Sequence, residues 1–143
     1  MSKTFTLSEA QTLLPVLESL LKRAQAAALR TSEIDQEMQQ LGQRIFLSGG
    51  MRVDVVAASR RRAERDKAAQ QTKDTLVEIN EIGVQVQDLE QGLLDFPCQL
   101  DGSTVLLCWK LGEPAITHWH SPEDGFEGRK LLDHRFGKTE RLN

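Results

Sequence analysis

Residues 13–45 read LLPVLESLLKRAQAAALRTSEIDQEMQQLGQRI, and in them apolar or small side chains return at alternating steps of four and three. The positions concerned are Leu13, Leu17, Leu20, Ala24, Ala27, Thr31, Ile34, Met38, Leu41 and Ile45. This spacing is the a/d seam of a coiled coil, and it predicts a long helix that packs lengthwise against a second helix.

The start of this helix is indicated by Ser8 and Gln11, which have the spacing of a capping box. Pro15 has no amide hydrogen to donate, and it disfavours helical geometry at Leu14. We therefore expect either a short helix that ends there or a kink in the first turns. We favour a short turn that leads into the long helix.

A second helix is predicted after Gly49-Gly50, where glycine backbone permits a tight reversal. The stretch from about Val53 to Leu89 contains no proline. An antiparallel hairpin about the two glycines would place Leu17 opposite Ile82, and it would place the small middle residues of the seam opposite threonines. The hairpin is predicted to cover about residues 8–91.

Beyond Gly92 the pattern changes to short apolar runs separated by turn signals, which predicts an antiparallel β-meander. Strands at 93–100 and 104–111 flank Asp101-Gly102, a favoured two-residue hairpin turn, and a third strand is expected at 115–120. The predicted fold class is α+β, with a coiled-coil-like helical hairpin followed by a three-stranded meander. We expect one domain over 1–132, with the meander at about 93–120, a loop at 121–132 and a polar tail at 133–143.

The two-residue turn sets the register of the first two strands. It places Cys98 opposite Val105 and Cys108 opposite Asp95, so the cysteines point to opposite faces and do not form a disulfide with each other. Cys98 is then a small core residue on the face that packs against the helices.

The next turn leaves two alternatives open. A three-residue loop at 112–114 would bring His118 beside Cys108 and complete a row with Asp95. A four-residue loop would instead turn His118 and His120 towards the helices. In the first case a thiolate activated by His118 is one option, and a metal held by Cys108, His118 and His120 is the other. In the second the histidines are structural or interface residues.

In the loop after the third strand, Arg129 is expected to bind a backbone carbonyl or an acid, and a small-anion site at Arg129 is the alternative. Phosphate-binding glycine loops, nucleophile elbows and common zinc-protease motifs do not occur in the sequence. We assign no cofactor, and an enzyme is not the preferred interpretation.

Apolar residues gather around the predicted reversal of the hairpin. The candidates for an interface are Leu41, Ile45, Phe46, Met51, Val53 and Val56. A single hairpin cannot bury all of them, and exposed apolar patches of this kind usually mark interfaces. A homodimer or a higher homo-oligomer is therefore predicted, because two hairpins would cover the patch as a four-helix bundle.

The chain has 143 residues and a formal charge of -3, but its charge is unevenly distributed. Residues 44–73 hold eight Lys or Arg and three acids, whereas residues 74–128 hold one Lys and eleven acids. No aromatic residue is interleaved with the run Arg60-Arg61-Arg62, so pairing with nearby acids is preferred to nucleic-acid binding. With no signal peptide and no membrane-spanning run, a cytoplasmic protein is expected.

Several short segments resemble the uncharacterised bacterial family called domain of unknown function 2203. They are Phe5-Thr6-Leu7, Leu14-Pro15, Asp88-Leu89, Gly92-Leu93, Asp95-Phe96-Pro97, Leu107-Cys108-Trp109, Leu111-Gly112-Glu113-Pro114, Trp119-His120, Gly125-Phe126 and Gly128-Arg129. The resemblance implies a helical hairpin with a C-terminal β element, and it carries no activity. The basic segment at about 44–73 carries no motif that adds to the resemblance.

Two functions remain as the main hypotheses, and nucleic-acid binding by the arginine-rich segment is a weaker third. The preferred one is a non-enzymatic interaction or scaffold protein that forms a homodimer through its helical hairpin. The alternative is a small-ligand or metal site on the meander, built from Cys108, His118, His120 and Arg129, with Asp95 as a neighbour.

Overall fold

A computed structural model describes residues 3–47, 49 and 54–141. Two long helices come first, α1 (Leu7–Leu47) and α2 (Val55–Ile82), and a short helix α3 (His134–Arg141) comes near the end. Between α2 and α3 lie five strands: β1 (Gln85–Asp88), β2 (Leu93–Leu100), β3 (Ser103–Lys110), β4 (His118–His120) and β5 (Lys130–Leu131). They form one antiparallel sheet in chain order. The predicted α+β class is confirmed.

The sheet has five strands where the sequence predicted three. The second helix ends at Ile82 and not near residue 91, because Gly83 adopts a positive φ of 107° and breaks the helical backbone. The residues that follow alternate valine and glutamine, and Gln85–Asp88 pairs with β2 at one edge of the sheet. Short strand β5 pairs with β4 at the other edge.

Helix α1 begins one residue before the predicted capping box. In the structure, the capping box is formed by Thr6 and Glu9 in place of Ser8 and Gln11. Thr6 Oγ1 accepts a hydrogen bond from the Glu9 amide, and Glu9 Oε1 accepts one from the Thr6 amide. The side chain of Gln11 instead accepts the backbone amide of Ile116. Pro15 lies within the continuous helix, so the expected short turn before a separate long helix is wrong.

The described residues cluster into two compact units. One, which we call the sheet unit, comprises Met1–Leu21 and Leu76–Asn143; the other, the helical unit, comprises Lys22–Thr75. Helices α1 and α2 each contribute residues to both units.

In the sheet unit, one face of the sheet and the adjoining helix segments form the core. The buried side chains of this core include Leu14, Leu17, Leu21, Ile79, Leu94, Phe96, Leu107 and Trp109. Cys98 lies among them, as predicted. Within the segment predicted as a polar tail, α3 forms and its Phe136 lies in this core at 2% exposure.

In the helical unit, the two helices run antiparallel, since later residues of α1 pair with earlier residues of α2. Arg65 pairs with Asp35 at 2.9 Å, and Arg61 pairs with both Glu37 and Glu64. Small or apolar side chains are buried between the helices, namely Ala24, Ala27, Ile34, Ala68 and Thr75. Arg61 and Arg65 therefore pair with nearby acids. No helix in the described part of the chain is long and apolar enough to cross a membrane.

Candidate metal centre

Three adjacent strands bring the polar candidates to the same face of the sheet. Cys108 in β3 lies opposite Asp95 in β2 on one side and opposite His118 in β4 on the other. This is the register of the three-residue turn at 112–114, and it completes the predicted row. His120, two residues farther along β4, lies opposite Leu106 and shares the face of His118.

The side chains that converge are Asp95, Cys108 and His120. Their potential ligand atoms, a carboxylate oxygen, Sγ and an imidazole nitrogen, all lie within 4.8 Å of one another. His120 Nε2 is 3.1 Å from Asp95 Oδ1, and both of these side chains are only 4% exposed. This group, which we call the triad, is buried in the sheet unit.

The imidazole ring of His120 is oriented by its second nitrogen. Nδ1 lies 2.8 Å from the backbone carbonyl oxygen of Ser121. A carbonyl only accepts, so Nδ1 carries the hydrogen and donates it. Nε2 is thereby directed at the other members of the triad. With the ring hydrogen on Nδ1, Nε2 and an ionised Asp95 are both acceptors, so the hydrogen bond between them requires a proton on one of the two.

The triad lies where charge is poorly solvated. Burial raises the pKa of the Cys108 thiol to about 11, the negative charge of Asp95 adds to this rise, and Arg129 opposes it. Burial also raises the pKa of the Asp95 carboxyl, against the charge and hydrogen bond of His120. In the absence of a cation, Cys108 is therefore a protonated thiol at neutral pH.

A second group of side chains holds Arg129 beside the triad. The positive charge of its guanidinium lowers the pKa of the Cys108 thiol, and its Nη1 donates to both carboxylate oxygens of Glu113, at 3.0 and 3.2 Å. The same guanidinium lies 4.1 Å from the centre of the Phe126 ring. Arg129 is therefore held in an ion pair with an acid, Glu113, as preferred to an anion site.

Glu113 also orders the turn between β3 and β4. Its Oε1 accepts the Lys110 amide at 2.7 Å, and its backbone carbonyl accepts the indole N–H of Trp109 at 2.9 Å. The turn that sets the register of β4 is thus fixed by the residue that also anchors Arg129.

A cavity of about 180 Å³ opens beside the triad, and all three triad residues line it. Its remaining walls are formed by Gln87, Leu93, Leu106, Pro122, Asp124, Gly125 and Phe126. Asp124 is held in place there, because its Oδ2 accepts the Ser121 hydroxyl at 3.0 Å.

Of the sequence candidates, Asp95, Cys108 and His120 form the triad, whereas His118 and Arg129 lie outside it. His118 is not in the triad: its Nδ1 lies 2.8 Å from Thr117 Oγ1, and its side chain is half-buried. Sequence reasoning missed Gln87 and Glu113, which lie on separate segments, as residues of this region. For Glu113, its place in the resembling segment Leu111-Gly112-Glu113-Pro114 was the available signal.

The interface candidates lie in the helical unit. Phe46 is 83% exposed and Val56 is 60% exposed, whereas Leu41 and Ile45 are half-buried. Met51 and Val53 fall outside the described residues.

Comparison with known proteins gives one family. Residues 3–132 match the family described as an uncharacterized conserved protein, DUF2203. No curated protein and no solved structure matches the chain. The match covers the triad, Glu113 and Arg129 together with both long helices, so the chain belongs to the DUF2203 family.

Proposed function

We propose that the protein binds one zinc ion through a carboxylate oxygen of Asp95, Sγ of Cys108 and Nε2 of His120. The observation that carries this proposal is the buried convergence of three different ligand types within 4.8 Å. Zinc accepts this mixture of sulfur, nitrogen and oxygen, whereas calcium and magnesium favour oxygen alone.

The dimensions of the triad fit such an ion. Zinc bonds of about 2.0–2.3 Å place the ligand atoms of a tetrahedral site roughly 3.3–3.7 Å apart. The triad needs to contract by little more than 1 Å from its widest separation to reach these distances. A shift of this size is within the reach of side-chain rotation.

The surroundings also resemble those of a metal site. Metal-binding histidines usually donate their second ring N–H to a carbonyl or carboxylate, as His120 does to Ser121. Burying a thiol, a carboxyl and an imidazole together costs free energy, because these polar groups lose their contacts with water. A bound divalent cation offsets that cost by balancing the charge of the thiolate and the carboxylate.

Zinc titration of metal-stripped, untagged protein tests the proposal, with binding heat and melting temperature as the two readouts. The chain offers matched controls: Cys98 is the other buried cysteine, and His118 is the other histidine of β4. We expect Cys108→Ser and His120→Gln to lose at least tenfold in zinc affinity, and Cys98→Ser and His118→Gln to keep it. Binding that is absent in the parent protein, or equal in all four variants, would contradict the proposal.

A second function, self-association through the helical unit, is favoured by one observation. Phe46, Leu47, Val55 and Val56 are each at least 60% exposed. They belong to the same end of the helical unit as a cavity whose walls include Met38, Leu41, Ile45, Ala57 and Ala58. A two-fold dimer would bury the exposed side chains of each copy against the apolar cavity of the other, in keeping with a cytoplasmic scaffold.

Light scattering after size-exclusion chromatography tests self-association. We expect a dimer for the parent protein and a monomer for Phe46→Ser combined with Leu47→Ser. Leu29→Ser is the control, since Leu29 is 61% exposed on α1 away from that end. A monomeric parent at micromolar concentration would end this second proposal.

A further inference from the structure

We propose, building on the zinc site above, that the zinc keeps a fourth coordination position open to the cavity beside the triad. This position takes a small uncharged molecule that has a nitrogen or oxygen lone pair and an N–H or O–H group, in preference to an anion. The site then binds a ligand as well as a metal.

The open position follows from the number and placement of the ligands. The triad supplies three protein ligands, and all three residues line the same cavity. Three protein ligands with one exchangeable position are typical of zinc that binds a ligand, whereas purely structural zinc is closed by four side chains. The triad thus leaves its free side towards the cavity.

The size of the cavity limits the ligand. Liquid water occupies about 30 Å³ per molecule, so about 180 Å³ holds roughly six waters, or a ligand with a similar number of heavy atoms. Leu93, Leu106, Pro122 and Phe126 provide apolar wall, which favours a ligand with some apolar surface. Gln87 and Asp124 are the polar wall residues outside the triad.

Charge decides between neutral and anionic ligands. The thiolate of Cys108 and the carboxylate of Asp95 together balance the double charge of zinc. Asp124 adds a negative charge to the wall, while Arg129 is already paired with Glu113 at 3.0 Å. An anion in the cavity would therefore meet net negative charge, whereas an N–H or O–H group of a neutral ligand can donate to Asp124.

The position of Asp124 is fixed on two sides. The Ser121 hydroxyl donates to its Oδ2, and Gly128 leaves so little room that an added Cβ would lie 3.1 Å from Asp124 Cβ. Although Asp124 is exposed, these contacts hold its side chain at the cavity wall, where the charge of its carboxylate can discriminate between ligands.

The test uses protein loaded with cobalt(II) in place of zinc, because the visible bands of cobalt report its coordination. Imidazole is the neutral probe, used at a pH where it is largely uncharged, and azide is the anionic probe. Azide is the smaller of the two, so size alone would favour it. We expect imidazole to change the bands with saturation and to bind at least tenfold more tightly than azide.

Two variants with the same change in charge give the control. Asp124→Asn removes the wall carboxylate and should weaken imidazole severalfold while strengthening azide. Glu123→Gln changes the adjacent residue, which is not part of the cavity wall, and should leave both affinities unchanged. Equal effects of the two variants would contradict the role of Asp124.

Two results would overturn the inference while leaving the zinc site intact: bands that neither probe changes, and azide binding as tight as imidazole. The thiolate-to-cobalt absorption reports separately whether the metal is bound at Cys108. If this absorption is missing from the parent protein, the zinc proposal fails, and the inference fails with it.

Discussion

Asp95 and His120 lie in strands β2 and β4, with β3 between them, yet Oδ1 of one is 3.1 Å from Nε2 of the other. Two strand spacings amount to roughly 9.6 Å, so the side chains must reach towards each other across the face of β3. Cys108 stands on that strand between them. Sheet pairing thereby places a carboxyl, a thiol and an imidazole on one face, within reach of one another.

This contact allows the stability of the fold to be separated from metal binding. In Asp95→Asn, the new amide can donate to Nε2 of a neutral His120. We therefore expect the free energy of unfolding, measured with a chelator present, to change by less than about 1 kcal/mol. Asp95→Ala leaves the buried imidazole unpaired and should cost about 1–3 kcal/mol.

Denaturant unfolding with chelator and then with excess zinc measures both effects. Added zinc should stabilise the parent protein but neither variant, because both lack the carboxylate ligand. Equal stabilisation of Asp95→Asn and the parent would remove Asp95 from the metal site.

Arg129 is expected to support the metal through Cys108. Arg129→Lys loses the guanidinium contact with the Phe126 ring and the paired hydrogen bonds to Glu113, so the positive charge that favours the Cys108 thiolate loses its fixed position. Removal of such supporting residues typically lowers metal affinity about 10- to 100-fold.

Competition with a zinc indicator measures this loss. Arg135→Lys is a matched control, because Arg135 also lies over an aromatic ring, that of Trp119 at 5.6 Å, and pairs with an acid, Asp133. If the two variants bind zinc equally, Arg129 has no special role at the site.

Phe136 ties α3 to the core of the sheet unit. It is 2% exposed, and its ring centre is 5.8 Å from that of Trp119. Phe136→Ala should therefore lower the free energy of unfolding by about 3 kcal/mol. Leu131→Ala, at a side chain that is 71% exposed, should change it by less than about 0.5 kcal/mol. A similar small effect at both positions would mean that α3 does not dock on the sheet unit in solution.

Asp133 is expected to titrate unusually low. The hydrogen bonds from Arg135 lower the pKa of its carboxyl to about 2. Because the folded pKa lies below the unfolded value, this pairing stabilises the fold above about pH 4, and the stabilisation is lost as the pH falls towards 2. Carbon-detected NMR titration measures this pKa directly, and Arg135→Gln should return it to about 4. An Asp133 that titrates near 4 in the parent protein would contradict the pairing.

Sequence periodicity predicts some parts of this fold well. The seam from Leu13 to Ile45 indicates α1, because a helix that buries one stripe must repeat its apolar residues at steps of three and four. The turn at Asp101-Gly102 gives the register of β2 and β3 to the residue, because a two-residue hairpin allows one alignment of its strands.

Other parts depend on contacts that a linear pattern does not contain. The alternation at Gln85–Asp88 is too short to favour a strand over a continuation of α2. The positive φ of Gly83, which ends the helix, is not evident from the sequence pattern. Phe136 is a single aromatic residue among polar ones, which gives no period to read.

The sequence predicts only part of the candidate site, because strand register does not specify how side chains are oriented. The turn at Asp101-Gly102 correctly places Asp95 opposite Cys108, and one of the two alternatives left open for the next turn places His118 there, as the structure does. Register does not show that a long side chain one step along the same face, His120, reaches the pair diagonally while His118 turns to Thr117. The ring of His120 is directed there by the Ser121 carbonyl, a backbone contact with no sequence signature.

X-ray absorption at the zinc edge measures the coordination of the metal most directly. For untagged protein loaded with one equivalent of zinc, we expect one sulfur at about 2.3 Å and the remaining ligands, nitrogen or oxygen, at about 2.0–2.1 Å. The sulfur should disappear in Cys108→Ser and persist in Cys98→Ser. A zinc shell without sulfur in the parent protein, or one whose sulfur survives in Cys108→Ser, would contradict the metal centre at Asp95, Cys108 and His120.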